Sequence, residues 1–198
     1  LERAEDISAV AMAHGIDWGW ENLTDYLDVV EKLPMGINHA AQIGHSALRT
    51  WAMGERAFTE TANADDLALM DRELAAALDA GAAGFTTSRS PHHETSDDRQ
   101  VAARLADWNE VTRLVAIVGK RGGIFELAQE RFADREGRAD FFGRLRALAL
   151  SSSAQITYGV LPIGAREDWM PQLDTLSEIA TAGGRAIGQT HSRGVSLL

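Results

Sequence analysis

The chain has 198 residues, of which 45% are hydrophobic and 24% charged, and this composition excludes a disordered or collagen-like protein. Its formal net charge of −10 predicts repulsion from nucleic acid and from anionic membranes, and no apolar run reaches the roughly 20 residues of a transmembrane helix. The absence of cysteine excludes disulfides, cysteine-ligated zinc and thiol catalysis within these residues.

The length predicts a single structural unit over residues 1–198. The first six residues are too acidic for a signal or transit peptide, so we expect a cytoplasmic protein. We expect a small molecule as its partner, and neither nucleic acid nor membrane.

The first part of the chain predicts two helices, a strand and a short helical run. Apolar residues at three- and four-residue spacing predict a helix over 23–33. A partly alternating apolar stretch predicts a strand over 37–43, followed by a helical run over 47–53. A longer amphipathic helix is predicted over 64–80, with Asn63 as its N-cap.

The middle of the chain repeats the order of strand and helix. A short apolar run predicts a buried strand over 82–87, and the polar segment 88–104 after it is long enough to suggest a functional loop. A helix is predicted from Asp107 to Val118 and a strand over 124–128. The next helix is indicated by its apolar residues Phe141, Phe142, Leu145 and Leu148.

The last part predicts a strand over 155–161, a helix over 168–182 and a strand over 185–191. The five strands begin about 30 to 45 residues apart, which is the spacing of strand–helix–strand crossovers and predicts a parallel α/β sheet. A closed eight-stranded barrel needs about 250 residues. The prediction is therefore an incomplete (β/α) barrel, and the alternative is an open, doubly wound sheet of five strands.

Candidate functional residues follow from this architecture, because loops and helix N-termini meet at the carboxyl ends of parallel strands. His45 is either a substrate contact or a satisfied structural imidazole near a helix start. His191 is either a metal ligand or proton carrier or a histidine without function, and Arg193 beside it can bind a carboxylate. The remaining candidates at these strand ends are Arg49, Ser88, Arg89, His92 and Glu126.

Several common motifs are absent from the sequence. It contains no glycine-rich phosphate loop before a helix, no Gly-x-Ser-x-Gly turn and no His-x-His or His-Glu-x-x-His pair. Adjacent loop histidines such as His92 and His93 seldom converge on one ion, so we assign no metal ligand from the residues alone.

Three runs in the chain are long and specific: GHSALR at 44–49, MGER at 53–56 and AGAAGFTTSR at 80–89. They resemble the N-acyl-D-amino-acid deacylase (D-aminoacylase) group of amidohydrolases, and the runs at 2–7 and 18–27 look like the family segment before them. The resemblance implies the central part of a longer (β/α) barrel that carries an appended β-domain. It also implies hydrolysis of an amide by zinc-activated water.

The resemblance also implies metal ligands that this chain does not contain. The family's His-x-His pair and its cysteine would precede Leu1, and its late aspartate would follow Leu198. Two further family histidines fall near Leu127 or Ala128 and near Tyr158, where this sequence has none. A bridging carboxylated lysine finds no strand-end candidate either, and we leave the cofactor unknown although the family implies zinc.

The resulting prediction is a hydrolase of a non-peptide C–N bond that deacylates a small N-acylated amino acid. Arg49, Arg89 and Arg193 are expected to bind a substrate carboxylate, and Ser88 and His92 are expected to contact the substrate. His45, Glu126 and His191 are the candidate catalytic groups. Glu126 can act as a base only if it points into the barrel, and alternation alone allows either direction.

The alternative function is a catalytically degenerate barrel relative that binds a small molecule or mediates assembly. It is motivated by the missing family histidines. In either case, uncovered sheet edges predict self-association or pairing with the remainder of the barrel.

Overall fold

The computed structural model describes residues 8–162 and 164–190. It contains five strands, β1 (Gln42–Gly44), β2 (Gly84–Ser88), β3 (Ile124–Ala128), β4 (Gln155–Gly159) and β5 (Arg185–Gln189). Its α-helices are α1 (Ala9–Gly15), α2 (Leu23–Glu31), α3 (His45–Met53), α4 (Ala64–Asp79), α5 (Trp108–Lys120), α6 (Arg135–Ser152) and α7 (Arg166–Thr181). Short 3-10 helices occupy Gly54–Phe58 and Ala102–Leu105. No helix in the described ranges is long and apolar enough to cross a membrane.

The five strands form one parallel sheet in the order β1-β2-β3-β4-β5, and helices connect the consecutive strands. Helices α3 to α7 pack side by side in chain order, each against the next. A doubly wound sheet reverses its strand order at a switch point and carries helices on both faces. The consecutive order confirms a partial barrel and shows that the doubly wound alternative is wrong, although the described sheet is not closed.

The hydrophobic core lies between this sheet and the row of helices. Alternate strand residues face the helices, and Phe85, Phe125 and Ile156 lie side by side in register with none of their surface exposed. The rings of Phe85 and Phe125 stack with their centroids 5.9 Å apart. Leu74, Leu114 and Leu145 from three successive helices complete this buried layer. We refer to the opposite side of the sheet as the concave face.

Most predicted elements are present, and two caps agree with the sequence. The side chain of Asn63 accepts hydrogen bonds from the first turn of α4, and Oδ2 of Asp66 accepts one from the backbone N–H of Asn63 at 3.0 Å. Asp107 caps α5 by accepting from the N–H of Glu110 at 2.8 Å. Both caps satisfy backbone N–H groups that a helix start leaves without partners.

The prediction was wrong at the first strand, which was expected over 37–43. Pairing between the two strands begins where the N–H of Ala83 donates to the carbonyl of Ala41 at 2.8 Å. The first paired residues of β1 and β2 are Gln42 and Gly84, so residues 37–40 have no partner in β2. Ile37 is 81% exposed, so the apolar pattern before this point does not mark a buried strand. Helix α3 also starts earlier than predicted, at His45.

Four further elements were not anticipated: α1, the two 3-10 helices Gly54–Phe58 and Ala102–Leu105, and the first turn of α6. Helix α6 begins at Arg135, within a segment whose charges had suggested a loop. Asp134 caps this turn by accepting from Gly137 N–H at 2.8 Å. A local cap therefore offsets the weak apolar pattern of the segment.

The last turn of α5 approaches the end of α6 so closely that only glycine fits at residue 119. A Cβ built on Gly119 would lie 1.7 Å from the backbone oxygen of Ser152, and the backbone cannot yield cheaply there. Gly143, on the exposed side of α6, has no heavy atom within 4 Å of such a Cβ.

We expect Gly119→Ala to lower the free energy of unfolding by about 1–3 kcal/mol or more, because the methyl group forces the two helices apart. Gly143→Ala is the matched control and should raise it by about 0.5–1 kcal/mol, since alanine favours the helix. Chemical denaturation followed by circular dichroism measures both. Equal effects of the two substitutions would contradict the close approach.

Candidate functional site

A groove with a volume of about 870 Å³ lies at the carboxyl ends of the strands. Every strand contributes to its lining, through Gly44, Ser88, Glu126, Gly159 and Gln189 among others. Helix N-termini and loops converge at the same edge, which is where parallel (β/α) folds place their ligands. We refer to this cavity as the main groove.

Glu126 lies in the main groove with its side chain on the concave face. Its Oε2 accepts a hydrogen bond of 2.8 Å from Nε2 of Gln42, which reaches across β2 from β1. The register places Thr86 and Thr157 beside it on the neighbouring strands. Oε1 of Gln42 is buried without a hydrogen-bond partner in the described part of the chain. A partly exposed carboxylate in the groove is therefore held on one side by a buried amide.

Ser88 and His93 form a hydrogen-bonded pair in the wall of the main groove. Oγ of Ser88 lies 2.7 Å from Nδ1 of His93, and it also accepts from the N–H of Ser90 at 3.3 Å. His92 lines the same groove. Sequence reasoning placed Ser88, His92 and His93 after the second strand and discounted metal binding by the two histidines, but it did not pair His93 with Ser88.

His45 and Arg49 belong to a buried network in the wall of the groove, which His45 and Thr87 help to line. Nε2 of His45 is 2.7 Å from Oε1 of Glu110, and Nδ1 is 2.8 Å from Oγ1 of Thr87. Arg49 donates from Nη1 to Oε2 of Glu110 at 2.5 Å and from Nη2 to the carbonyl of Glu60 at 2.9 Å. The side chains of His45 and Arg49 are 0% exposed and that of Glu110 is 4% exposed. This network joins α3, β2 and α5.

The charges of this network are balanced without a proton on His45. Burial lowers the pKa of His45, and its hydrogen bond to Glu110 offsets only part of that effect. Burial raises the pKa of Glu110, but hydrogen bonds from His45 and Arg49 outweigh it and leave a lowered pKa. Because Arg49 already neutralises Glu110, a proton on His45 would add an uncompensated buried charge.

The network corrects one expectation and resolves another. Arg49 was expected to bind a substrate carboxylate, but its guanidinium is buried and already paired with Glu110, so we withdraw it from the substrate contacts. Both ring nitrogens of His45 are engaged inside the protein, which corresponds to the satisfied structural imidazole that the sequence left open. His45 stays a catalytic candidate only if this network opens.

A second cavity of about 230 Å³ adjoins the main groove and is rich in arginine. Its lining includes Arg89, Arg104, Arg131 and Glu130. Arg89 donates to the carbonyl of Ala106 at 2.8 Å, and its Nε lies 3.6 Å from Oε2 of Glu130. Burial lowers the pKa of Arg89, and the nearby Arg144 and Arg104 lower it further against the attraction of Glu130.

Arg104 and Arg131 have no ion-pair partner within residues 8–162 and 164–190, and Glu130 already contacts Arg89 and Arg144. The cavity therefore carries an excess of positive charge in a chain whose net charge is −10. Sequence reasoning missed Arg104, because it lies far along the loop from a strand end. We refer to this second cavity as the arginine pocket.

The remaining candidates lie elsewhere. His191 and Arg193 fall outside the described residues. Tyr158, where the resemblance would place a family histidine, is 0% exposed on the helix side and donates to the carbonyl of Gln172 at 2.6 Å. Leu127 is likewise packed in the core. The neighbouring concave positions hold Glu126, Ala128, Thr157 and Gly159, none of them a histidine.

The described residues do not fit the metal centre that the resemblance implies. Within them, no group of three His, Cys, Asp or Glu side chains could hold a metal ion. Zinc in proteins is bound by thiolates, neutral imidazoles and carboxylates. The chain has no cysteine, and the imidazole of His45 is already hydrogen-bonded on both sides. We therefore derive no chemical step through a metal.

Solved structures with the same fold include two kinds of deacylase. The N-acyl-D-glutamate deacylase of Bordetella bronchiseptica, solved with zinc and a phosphonate mimic of the tetrahedral intermediate, matches with a TM-score of 0.70 and 20% identity. The match covers 93% of this chain and 37% of that one. A D-aminoacylase matches with a TM-score of 0.67 and 18% identity, over 96% of this chain and 38% of that one.

Curated relatives have no established function. Uncharacterised proteins of Mycobacterium tuberculosis and Mycobacterium bovis are each 30% identical over 118 residues, which is 56% of this chain and 19% of the relative. No protein-family model matches the chain. The chain thus spans about a fifth of these relatives and less than two fifths of the deacylases, whose amidohydrolase barrel fold it shares in part.

We expect Glu110→Gln to lower the free energy of unfolding by about 3–5 kcal/mol, because it leaves the buried charge of Arg49 unpaired. Glu60→Gln is the matched control, since that side chain is 53% exposed and pairs with exposed Arg56, and it should change the value by less than about 0.5 kcal/mol. Urea denaturation measures both variants.

A double variant tests whether the destabilisation comes from the loss of the Arg49–Glu110 ion pair. Arg49→Met combined with Glu110→Gln removes both charges, so the combined loss should fall short of the sum of the single losses by more than about 1 kcal/mol. Strict additivity would show that the two side chains do not interact as described.

Proposed function

We propose that the main groove binds a small N-acylated amino acid and that the protein carrying this chain hydrolyses its amide C–N bond. The observation that carries this proposal is Glu126, a partly exposed carboxylate on the concave face of a fold shared with deacylases. The groove lies where (β/α) barrels place their catalytic residues. Its volume of about 870 Å³ falls in the range of small-molecule sites.

Glu126 acts in this proposal as the base that takes a proton from water during hydrolysis. The hydrogen bond from Gln42 holds one carboxylate oxygen in place and leaves the other to contact water. His191 and Arg193 lie outside the described ranges, so their predicted roles as proton carrier and carboxylate ligand stay predictions.

The arginine pocket receives the carboxylate of the substrate in this proposal. Arg104 and Arg131 lack partners among the described residues and lie beside the groove, whereas Arg89 already donates to backbone carbonyls. A guanidinium binds a carboxylate in a bidentate manner with charge-assisted hydrogen bonds. Arg89 would then contribute mainly its charge.

Further strands are expected beside the open sheet. Ile187 of β5 is 52% exposed on the concave face, at an outer strand of the described sheet. Unpaired strand edges and exposed apolar surface favour pairing with another segment. We propose that the remainder of the barrel, or a second copy of the chain, covers this side.

We expect Glu126→Gln to lower kcat for amide hydrolysis by about 100-fold or more with little change in KM, because the amide side chain keeps the shape but takes no proton. Release of free amine from N-acetyl-D-amino acids by the full-length protein measures this. Glu136→Gln, exposed on α6, is the matched control and should behave as the unaltered protein.

The same assay separates the hydrolase from a binding module. If N-acetyl-D-amino acids bind by calorimetry but no amine is released, the alternative of a catalytically degenerate relative is supported. If they neither bind nor react, the proposal fails.

We expect Arg104→Gln to raise KM for N-acetyl-D-amino acids about 10-fold with little change in kcat, because one charge-assisted contact to the carboxylate is lost. Arg72→Gln, an exposed arginine on α4, is the control. The corresponding substrate amides, which lack the carboxylate, should not respond to the substitution. An equal effect on acids and amides would contradict the assignment.

A further inference from the structure

The hydroxyl of Ser88 lies in the main groove next to a potential base, the imidazole of His93. It occupies the last residue of β2, on the concave face, one layer beyond Glu126 toward the carboxyl edge of the sheet. With the proton of His93 on Nε2, Nδ1 accepts the hydroxyl proton across 2.7 Å. The N–H of Ser90 donates to the same oxygen and helps to fix its position.

This distance lies within the 2.6–3.2 Å that joins a nucleophile to its base in covalent catalysis. Ser88 and His93 both line the groove, so a bound carbonyl carbon can reach the hydroxyl. Neither group is used elsewhere in the proposed function. A structural turn explains why the N–H of Ser90 contacts Oγ of Ser88. It does not explain why Nδ1 of His93 lies within hydrogen-bonding distance of the same oxygen.

The start of α3, which follows the neighbouring strand β1, offers backbone donors for a developing negative charge. Helix α3 starts at the groove, and its N-cap Gly44 has no side chain to satisfy the N–H groups of the first turn. The register sets Gly44 opposite Thr86, two residues before Ser88. Backbone N–H groups at a helix start stabilise an oxyanion.

We propose that Ser88 is a nucleophile activated by His93 and carries the acyl group during amide cleavage; this step rests on the proposed function of the same groove. Oγ of Ser88 attacks the carbonyl carbon while its proton moves to Nδ1 of His93. The intermediate collapses by breaking the C–N bond, and His93 returns the proton to the leaving nitrogen. Water then attacks the acyl-serine while Glu126 accepts its proton. As the bond between the acyl carbon and Oγ breaks, Glu126 returns that proton to Oγ of Ser88, which releases the carboxylic acid and restores the serine.

The test is labelling of the full-length protein by a fluorophosphonate, which reacts with activated serine hydroxyls and needs no amide substrate. Intact mass should show one phosphonyl group per chain, and peptide mapping should place it on Ser88. Ser88→Ala should abolish the label, and His93→Gln, which keeps Ser88, should slow labelling about 100-fold. Ser177→Ala, an exposed serine on α7 outside the groove, is the control and should label at the original rate.

The inference would be overturned if His93→Gln were labelled as fast as the unaltered protein and had the same melting temperature. It would also be overturned if the folded, unaltered protein carried no label on Ser88. Amine release that persists in Ser88→Ala would also overturn it while leaving the proposed function in place. If Ser88 is labelled at the expected rates but no N-acyl amino acid is hydrolysed, the assignment of Ser88 as an activated nucleophile is supported and the proposed substrate is wrong.

Discussion

The buried contact of Glu110 with Arg49 and His45 is the interaction on which the edge of the sheet depends. Three elements from distant parts of the chain meet there: α3 through His45 and Arg49, α5 through Glu110, and β2 through Thr87. Charged groups are tolerated at such burial only when they neutralise one another. The start of α3 is therefore fixed against β2, with its first N–H groups at the groove.

The consecutive order of the strands decides which face of the sheet can contact a ligand. Because the helices pack in one row, the opposite face of the sheet is free to carry polar side chains, and Gln42, Glu126 and Thr157 meet there instead of a hydrophobic layer. The same alternation assigns Phe85, Phe125 and Ile156 to the core. One geometric rule thus separates the residues that stabilise the protein from those that can contact a ligand.

This separation also explains how the chain departs from the metal-dependent deacylases whose fold it shares. Leu127 and Tyr158 face the helices, and the concave positions next to them hold no imidazole. The groups that do reach the groove are a carboxylate, a serine next to a histidine and a set of arginines. They can bind an anion, move protons and form a covalent bond to an acyl group.

The sequence by itself determined the alternation of strands and helices and the helix caps at Asn63 and Asp107, because apolar periodicity and capping are local properties. It also predicted that Ser88 and His92 follow the second strand and that Glu126 belongs to the third. The tertiary structure alone decided that Glu126 points into the groove, that Arg49 is buried, and that Ser88 meets His93. These outcomes depend on strand order, register and pairing between distant residues, which no local pattern encodes.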